Sequence, residues 1–137
     1  QQYQLQHFVT DFYRAPVAID HIGLITYRNP FYVLDLYGGG SEAASRAIVA
    51  KGQLDWMERL TDEHGIGLAM IYPNLDPKLP AAWREVGRMT LAGRGHTVAG
   101  RSVIFFAVHD SDRARIVRSL LQFEPTLPSG VSLSFAP

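Results

Sequence analysis

The stretch from Pro16 to Ser41, PVAIDHIGLITYRNPFYVLDLYGGGS, constrains this chain more than any other. It holds two short apolar runs that read as buried strands, Val17–Ile19 and Tyr32–Tyr37. Each runs directly into a turn, Asp20-His21 after the first and Gly38-Gly39-Gly40-Ser41 after the second. In an open α/β sheet the loops at the carboxyl ends of the strands are where ligands usually sit. These two turns are therefore the first place to look for a site, although neither carries a complete catalytic signature.

The 137 residues suit a single domain, long enough to bury a core without covalent staples. With 47% hydrophobic and 19% charged residues, the chain has the balance of a globular protein and not of a disordered one. Thirteen basic and thirteen acidic residues cancel. That balance gives no electrostatic footprint for nucleic acid and no polybasic tract for an anionic membrane surface. Cysteine is absent, which excludes disulfides, thiolate metal sites and a cysteine nucleophile. No apolar run approaches the roughly 20 residues of a membrane span, and no signal peptide is visible. The start at Gln1, with QQYQLQ ahead of the first apolar segment, reads as the cut edge of a longer protein.

Leu5, Phe8, Val9 and Phe12 recur at helical spacing and predict an amphipathic helix over residues 1–13, ended by Pro16. Ile22–Tyr27 suits a short helix weakened by Gly23. Ser41 followed by Glu42 is a helix opening, with Ala43, Ala44, Ala47, Ile48 and Ala50 as a small-residue face and Lys51-Gly52 as its break. A second helix follows from about Gln53 to His64, with Leu54, Met57 and Leu60 inward and Gly65 as its left-handed terminator.

Gly67–Tyr72 is a third buried strand, closed by Pro73, and Asn74–Pro80 is loop. Trp83 and Val86 are expected to cap the core from a short turn. Arg84–Leu91 and Ser102–His109 read as an antiparallel hairpin around AGRGHTVAG. Ser111-Asp112 opens a last helix with Ala114, Val117, Leu120 and Leu121 inward and Arg113, Arg115 and Arg118 outward. Val131, Leu133 and Phe135 alternate as an edge strand does. The order implies an α/β sandwich of two or three layers, its mixed sheet parallel early and antiparallel in a C-terminal hairpin.

Several chemistries are conceivable on this frame. The Gly-Gly-Gly-Ser turn before a helix invites an anion, yet it lacks the lysine of a phosphate loop, and Glu42 puts negative charge at its mouth. The histidines at 7, 21, 64, 96 and 109 have no metal-binding spacing, so a metal site would have to assemble in space from Asp20, His21 and His109. There is no serine-hydrolase elbow. Asp20 and Asp35, at the ends or middles of adjacent strands, are a carboxylate pair that could meet the spacing acid–base work needs. Asp35, inside a mostly apolar strand, needs a solvated face or a bond to a neighbouring loop. Phe31, Tyr32, Tyr37, Tyr72 and Trp83 would form a sugar-binding surface if they met on one side, and otherwise serve as packing.

Three stretches, VAIDHIGLITYRNPFYVLDLYG, DWMERLTDEHGIGLAMIY and FEPTLPSGVSLSF, together carry a family resemblance. The chain resembles the carboxy-terminal extracytoplasmic (periplasmic) domain of bacterial multi-spanning glycosyltransferases of the GT-C type. These are the polyprenyl-phosphate-sugar-dependent enzymes related to protein mannosyltransferases and arabinosyltransferases. Asp20, Gly23, Tyr27, Val33, Asp35 and Gly38 occupy the matching positions, and Gly39-Gly40 departs from the single glycine plus apolar residue usual there.

The resemblance implies an accessory domain that carries no catalytic residue and needs no cofactor or metal. Such a domain covers the membrane active site or positions the acceptor at the periplasmic face of the inner membrane. The implied partners are the transmembrane part of the same polypeptide and a glycan or lipid-linked sugar, with no nucleic acid. The acceptor-facing candidates are Asp20, His21, Asp35, Tyr37 and Ser41. Two other classes compete: a stand-alone hydrolase or transferase using Asp20 and Asp35, and a structural module that binds a protein through Arg113, Arg115 and Arg118.

Overall fold

In the computed structural model, residues 1–50, 55–75, 78–93 and 100–137 are described. The chain opens with helix α1 (Gln2–His7), which widens without a break into a π-helical turn over Phe8–Tyr13. Arg14 ends that turn in the left-handed region at φ 54°, its N–H donating to the Val9 carbonyl at 2.8 Å. The helix buries Leu5, Phe8 and Val9 as the periodicity predicts, and Tyr13 besides. Phe12 is only partly buried, because the wider turn rotates Tyr13 onto the core in its place.

Strands β1 (Val17–Ile19) and β2 (Val33–Asp35) follow, joined through a 3₁₀ turn at Leu24–Thr26. Next come helix α2 (Glu42–Val49), helix α3 (Trp56–Glu63), strand β3 (Leu68–Ile71), strand β4 (Arg84–Leu91) and strand β5 (Ser102–Ala107). Helix α4 (Arg113–Phe123) and strand β6 (Val131–Phe135) complete the chain. The six strands form one sheet in the order β2-β1-β3-β5-β4-β6. β1 lies parallel between β2 and β3, and the remaining pairs are antiparallel, as the order of elements predicts.

Period-two alternation along the strands makes two cores. Leu68, Met70 and Tyr72 face α1, the π-helical turn and α4, whereas Ala69 and Ile71 face α2 and α3. Where the strands are parallel the fold therefore has three layers, with helices on both faces. Ser41 caps α2 as expected, its Oγ accepting the Ala44 N–H at 3.5 Å. Gly65 follows α3 at φ 62°, so the left-handed terminator is where the sequence places it.

Four expectations are corrected. β2 ends at Asp35 and does not reach Tyr37, because the Asp35 carboxylate captures the next amides and turns the chain. Within α2 only Ala44 and Ala47 face inward, and Ala43, Ile48 and Ala50 are exposed. Val86 belongs to β4, and only Trp83 caps a core from the turn before it. In α4 the buried residues are Ile116, Ser119, Leu120 and Phe123, leaving Ala114 and Leu121 exposed. The helix is rotated by the pull of Phe123, whose ring sits 5.2 Å from Phe8 and 5.4 Å from Phe12 between centroids. The expected break at Lys51-Gly52, the first residues of the second helix, His96 and most of the β4–β5 connection lie outside the described residues. Among the described residues no helix is long and apolar enough to cross a membrane.

Candidate functional site

Because β1, β2 and β3 are parallel neighbours, the residues leaving their carboxyl ends meet at one edge of the sheet. Asp20 follows β1 and is only 3% exposed. Its Oδ2 and Oδ1 accept the backbone N–H of Tyr72, which follows β3, at 2.9 and 3.2 Å. Burial pushes the Asp20 carboxyl up to about 6. The Tyr72 amide and its own amide pull against that shift, and the negative charge of Asp35 adds to it.

Asp35 closes β2 and is buried to 1% exposure. Its Oδ1 accepts the Tyr37 N–H at 3.0 Å and its Oδ2 the Gly40 N–H at 2.6 Å, so the carboxylate braces the glycine turn from inside. Between the two readings for Asp35, the bond to a neighbouring loop is the one found. The same bonds overturn the anion cradle. Those amides, which would have greeted a phosphate, point at a carboxylate of the chain itself.

The other candidates are placed around this pair. His21 is half-buried and meets the Tyr72 ring edge to face, with centroids 5.6 Å apart at 78°. The Tyr72 hydroxyl is buried with no hydrogen-bond partner among the described residues, and burial together with the Asp20 charge raises it to about 12. Tyr37 stands on the outside of the glycine turn, 75% exposed. Ser41 is buried and committed to its cap. The structure thus brings Asp20, His21 and Asp35 to one sheet edge, with Tyr37 at its rim and Ser41 behind the turn.

His109 is not there. β5 runs antiparallel to β3, so its end lies beside Gly67 at the opposite edge of the sheet, where Val108 N–H bonds the Gly67 carbonyl. His109 Nε2 lies 3.0 Å from an Asp62 carboxylate oxygen instead. The metal set of Asp20, His21 and His109 is therefore not assembled, and no group of three metal-ligating side chains exists among the described residues. Nor do the aromatics make one surface. Tyr72 and Trp83 are buried, Phe31 packs on the core, and Tyr32 stacks on His64 at 4.0 Å and 15°.

Two features escape sequence reasoning. One is Tyr72, whose main chain, not its ring, is what Asp20 uses. The other is a polar groove of about 430 Å³ lined by Thr61, Asp62, Gly67, His109 and Asp112. The only signal for the first was the position of Asp20 at the exit of a strand with a parallel neighbour. Chemically, the sheet edge holds one carboxyl that ionises near pH 6 and a second one bound by two amides. That arrangement fixes backbone, and burial keeps both carboxyls away from the surface.

No curated protein and no solved structure matches the chain. A family model described as a domain of unknown function, DUF8728, matches residues 1–106, which take in all five candidate site residues and Tyr72 and leave out α4 and β6. By that match over most of its length, the chain belongs to the DUF8728 family of domains of unknown function.

Proposed function

We propose that the chain is a non-catalytic accessory domain of a membrane glycosyltransferase that takes its sugar from a polyprenyl-phosphate donor. It would lie on the periplasmic face, as part of the same polypeptide, and cover the active site or position the acceptor. The reading rests on the resemblance carried by Asp20, Gly23, Tyr27, Val33, Asp35 and Gly38. The observation that supports it best is what the two aspartates do. Both are buried and spent on backbone amides, Asp20 on Tyr72 and Asp35 on Tyr37 and Gly40. A catalytic carboxylate needs open lone pairs aimed at substrate. Asp20 ties the ends of β1 and β3 together and Asp35 braces the turn that leaves β2, which is the work of a scaffold beneath a binding rim. His21 and Tyr37 are the side chains free to touch an acceptor.

The test is fractionation of cells from the source organism, followed by immunoblotting with an antibody against the domain. The expected result is a band several times heavier than the 15.3 kDa of this chain, in the membrane fraction. A band near 15.3 kDa in the soluble fraction sinks the reading and returns the Asp20–Asp35 edge to the search for an independent activity.

A further inference from the structure

The sheet ends at β6, and among the described residues nothing pairs with its outer side. Natural edge strands are blunted by charge, proline or a bulge. Val131–Phe135, VSLSF, has no charge and no proline, and its register with β4 runs without a shift from Val131 to Phe135. The hydrogen-bonding phase of the strand is fixed at both ends. Ala92 N–H donates to the Gly130 carbonyl at 2.6 Å and Ala136 N–H to the Val86 carbonyl at 2.9 Å. The even-numbered residues therefore bond inward to β4, and the peptide groups of Val131, Leu133 and Phe135 point out to the open edge. Among the described residues, only the Val131 N–H of these is engaged, with the Pro128 carbonyl at 3.1 Å.

We infer that this edge pairs with the β6 of a second copy of the chain, antiparallel about a two-fold axis at Leu133, so that the two sheets become one. The strand is complementary to itself under that operation. Leu133 meets Leu133, Val131 meets Phe135, and Ser132 meets Ser134. Leu133 exchanges both its backbone bonds with its counterpart, and Phe135 N–H reaches the Val131 carbonyl. On the α4 side this sets β-branched and aromatic side chains opposite each other, a favourable cross-strand pairing. On the other side only exposed serines meet.

Helix α4 agrees with this occupant. Arg113 donates to the Pro137 carbonyl at 2.7 Å, and Leu120 lies beside Gly87, the partner of Phe135. Leu120 thus stands at the level of Phe135, and the helix starts beside the carboxyl end of β6. Its outer flank is a groove lined by Val117, Arg118 and Leu121, with Leu121 52% exposed. Arg118 and Glu124 lie on either side of Leu121 in the sequence and both are exposed, so two facing copies of the helix offer each other opposite charges. A closed, isologous interface of this kind satisfies the edge in both copies at once. The inference stands apart from the glycosyltransferase reading, which it neither needs nor supports.

The test uses the 137-residue chain, which has no cysteine of its own. Light scattering over a wide concentration range is expected to give a species of twice 15.3 kDa. Ser132→Cys and Ser134→Cys variants, mixed and oxidised, are expected to give a disulfide-linked dimer that neither variant gives alone, because only residue 132 lies opposite residue 134. Leu121→Glu is expected to shift the species toward monomer, with the unfolding midpoint that the wild type shows at concentrations low enough to dissociate it. A mass of 15.3 kDa at every concentration overturns the inference and leaves the edge to an extended segment of another protein. A dimer that fails to cross-link in the mixture, or that cross-links equally with either variant alone, overturns it as well.

Discussion

The backbone N–H of Tyr72 donates to both carboxylate oxygens of Asp20, at 2.9 and 3.2 Å, and so ties the end of β1 to the end of its parallel neighbour β3. The tie is made inside the protein, and burial raises the Asp20 carboxyl from 3.8 to about 6. A carboxyl raised on folding holds its proton more tightly in the folded state than in the unfolded one. Stability from this group is therefore full below about 3.8, falls as pH rises, and is lost above about 6. A shift of this size corresponds to about 3 kcal/mol at its upper bound. Urea unfolding of the wild type is expected to show stability falling between pH 4 and pH 7 from this group. Asp20→Asn, which keeps a carbonyl oxygen for the Tyr72 amide but cannot ionise, should flatten that slope. An unchanged slope in the variant would place the titration elsewhere. Asp20→Ala should be less stable than Asp20→Asn at every pH, because the Tyr72 N–H is then buried without an acceptor.

Asp35 makes a different prediction, since its two bonds close one local turn. Removing the carboxylate in Asp35→Ala leaves the Tyr37 and Gly40 amides unanswered, at a cost of about 3 kcal/mol for two hydrogen bonds to a charged group. Asp35→Asn keeps one acceptor and should cost roughly half as much. Equilibrium unfolding in urea reads both. Equal losses in the two variants would mean that the side chain's volume matters here and its bonds do not.

The glycines of the same turn are not equivalent. Gly38 has φ 90°, and a Cβ there would sit 3.2 Å from the Ser45 Cα, a backbone atom of α2 that cannot step aside. A Cβ on Gly39 would meet only an Asp35 oxygen, at 3.6 Å. Gly38→Ala is expected to lose about 2 kcal/mol or more, from the left-handed conformation with the close approach added to it. Gly39→Ala should change stability by less than about 0.5 kcal/mol. Thermal or urea unfolding of the two single variants decides it, and a reversed order would mean that the turn is not held as described.

Much of this fold is legible in the sequence. The three parallel strands, the Ser41 cap, the Gly65 terminator and the edge strand each carry a local signal strong enough to survive packing. α4 shows where local signals fail. Ile116, Leu120 and Leu121 permit two helical faces, and the choice between them is made by Phe8, Phe12 and Phe123, which meet only after folding. The candidate site was legible as a place and not as a mechanism. Asp20 and Asp35 stand where strand order puts them, but their partners are backbone amides, which no side-chain motif records. The sequence does not place His109, because both directions of β5 fit it, and the direction alone decides which sheet edge the residue reaches.

Arg115 separates the three arginines of α4. Its Nη2 donates to the Tyr13 carbonyl at 3.1 Å, and its guanidinium lies 4.8 Å from the centre of the Tyr13 ring. It thereby closes the π-helical turn that carries Phe8 and Tyr13 into the core. Among the described residues Arg118 has no such contact, and it lies on the groove side of the helix. In urea unfolding Arg115→Ala is expected to cost about 1 to 2 kcal/mol, from the lost bond and the cation–π contact together. Arg115→Lys should recover little of it, since an ammonium lacks the planar fork that serves carbonyl and ring at once. Arg118→Ala should stay within about 0.5 kcal/mol of the wild type. Equal losses at the two positions would make the arginines one structural unit. With the expected split, reversing all three charges together would damage the fold through Arg115. A protein-binding role for this face is therefore tested cleanly only by variants that spare Arg115.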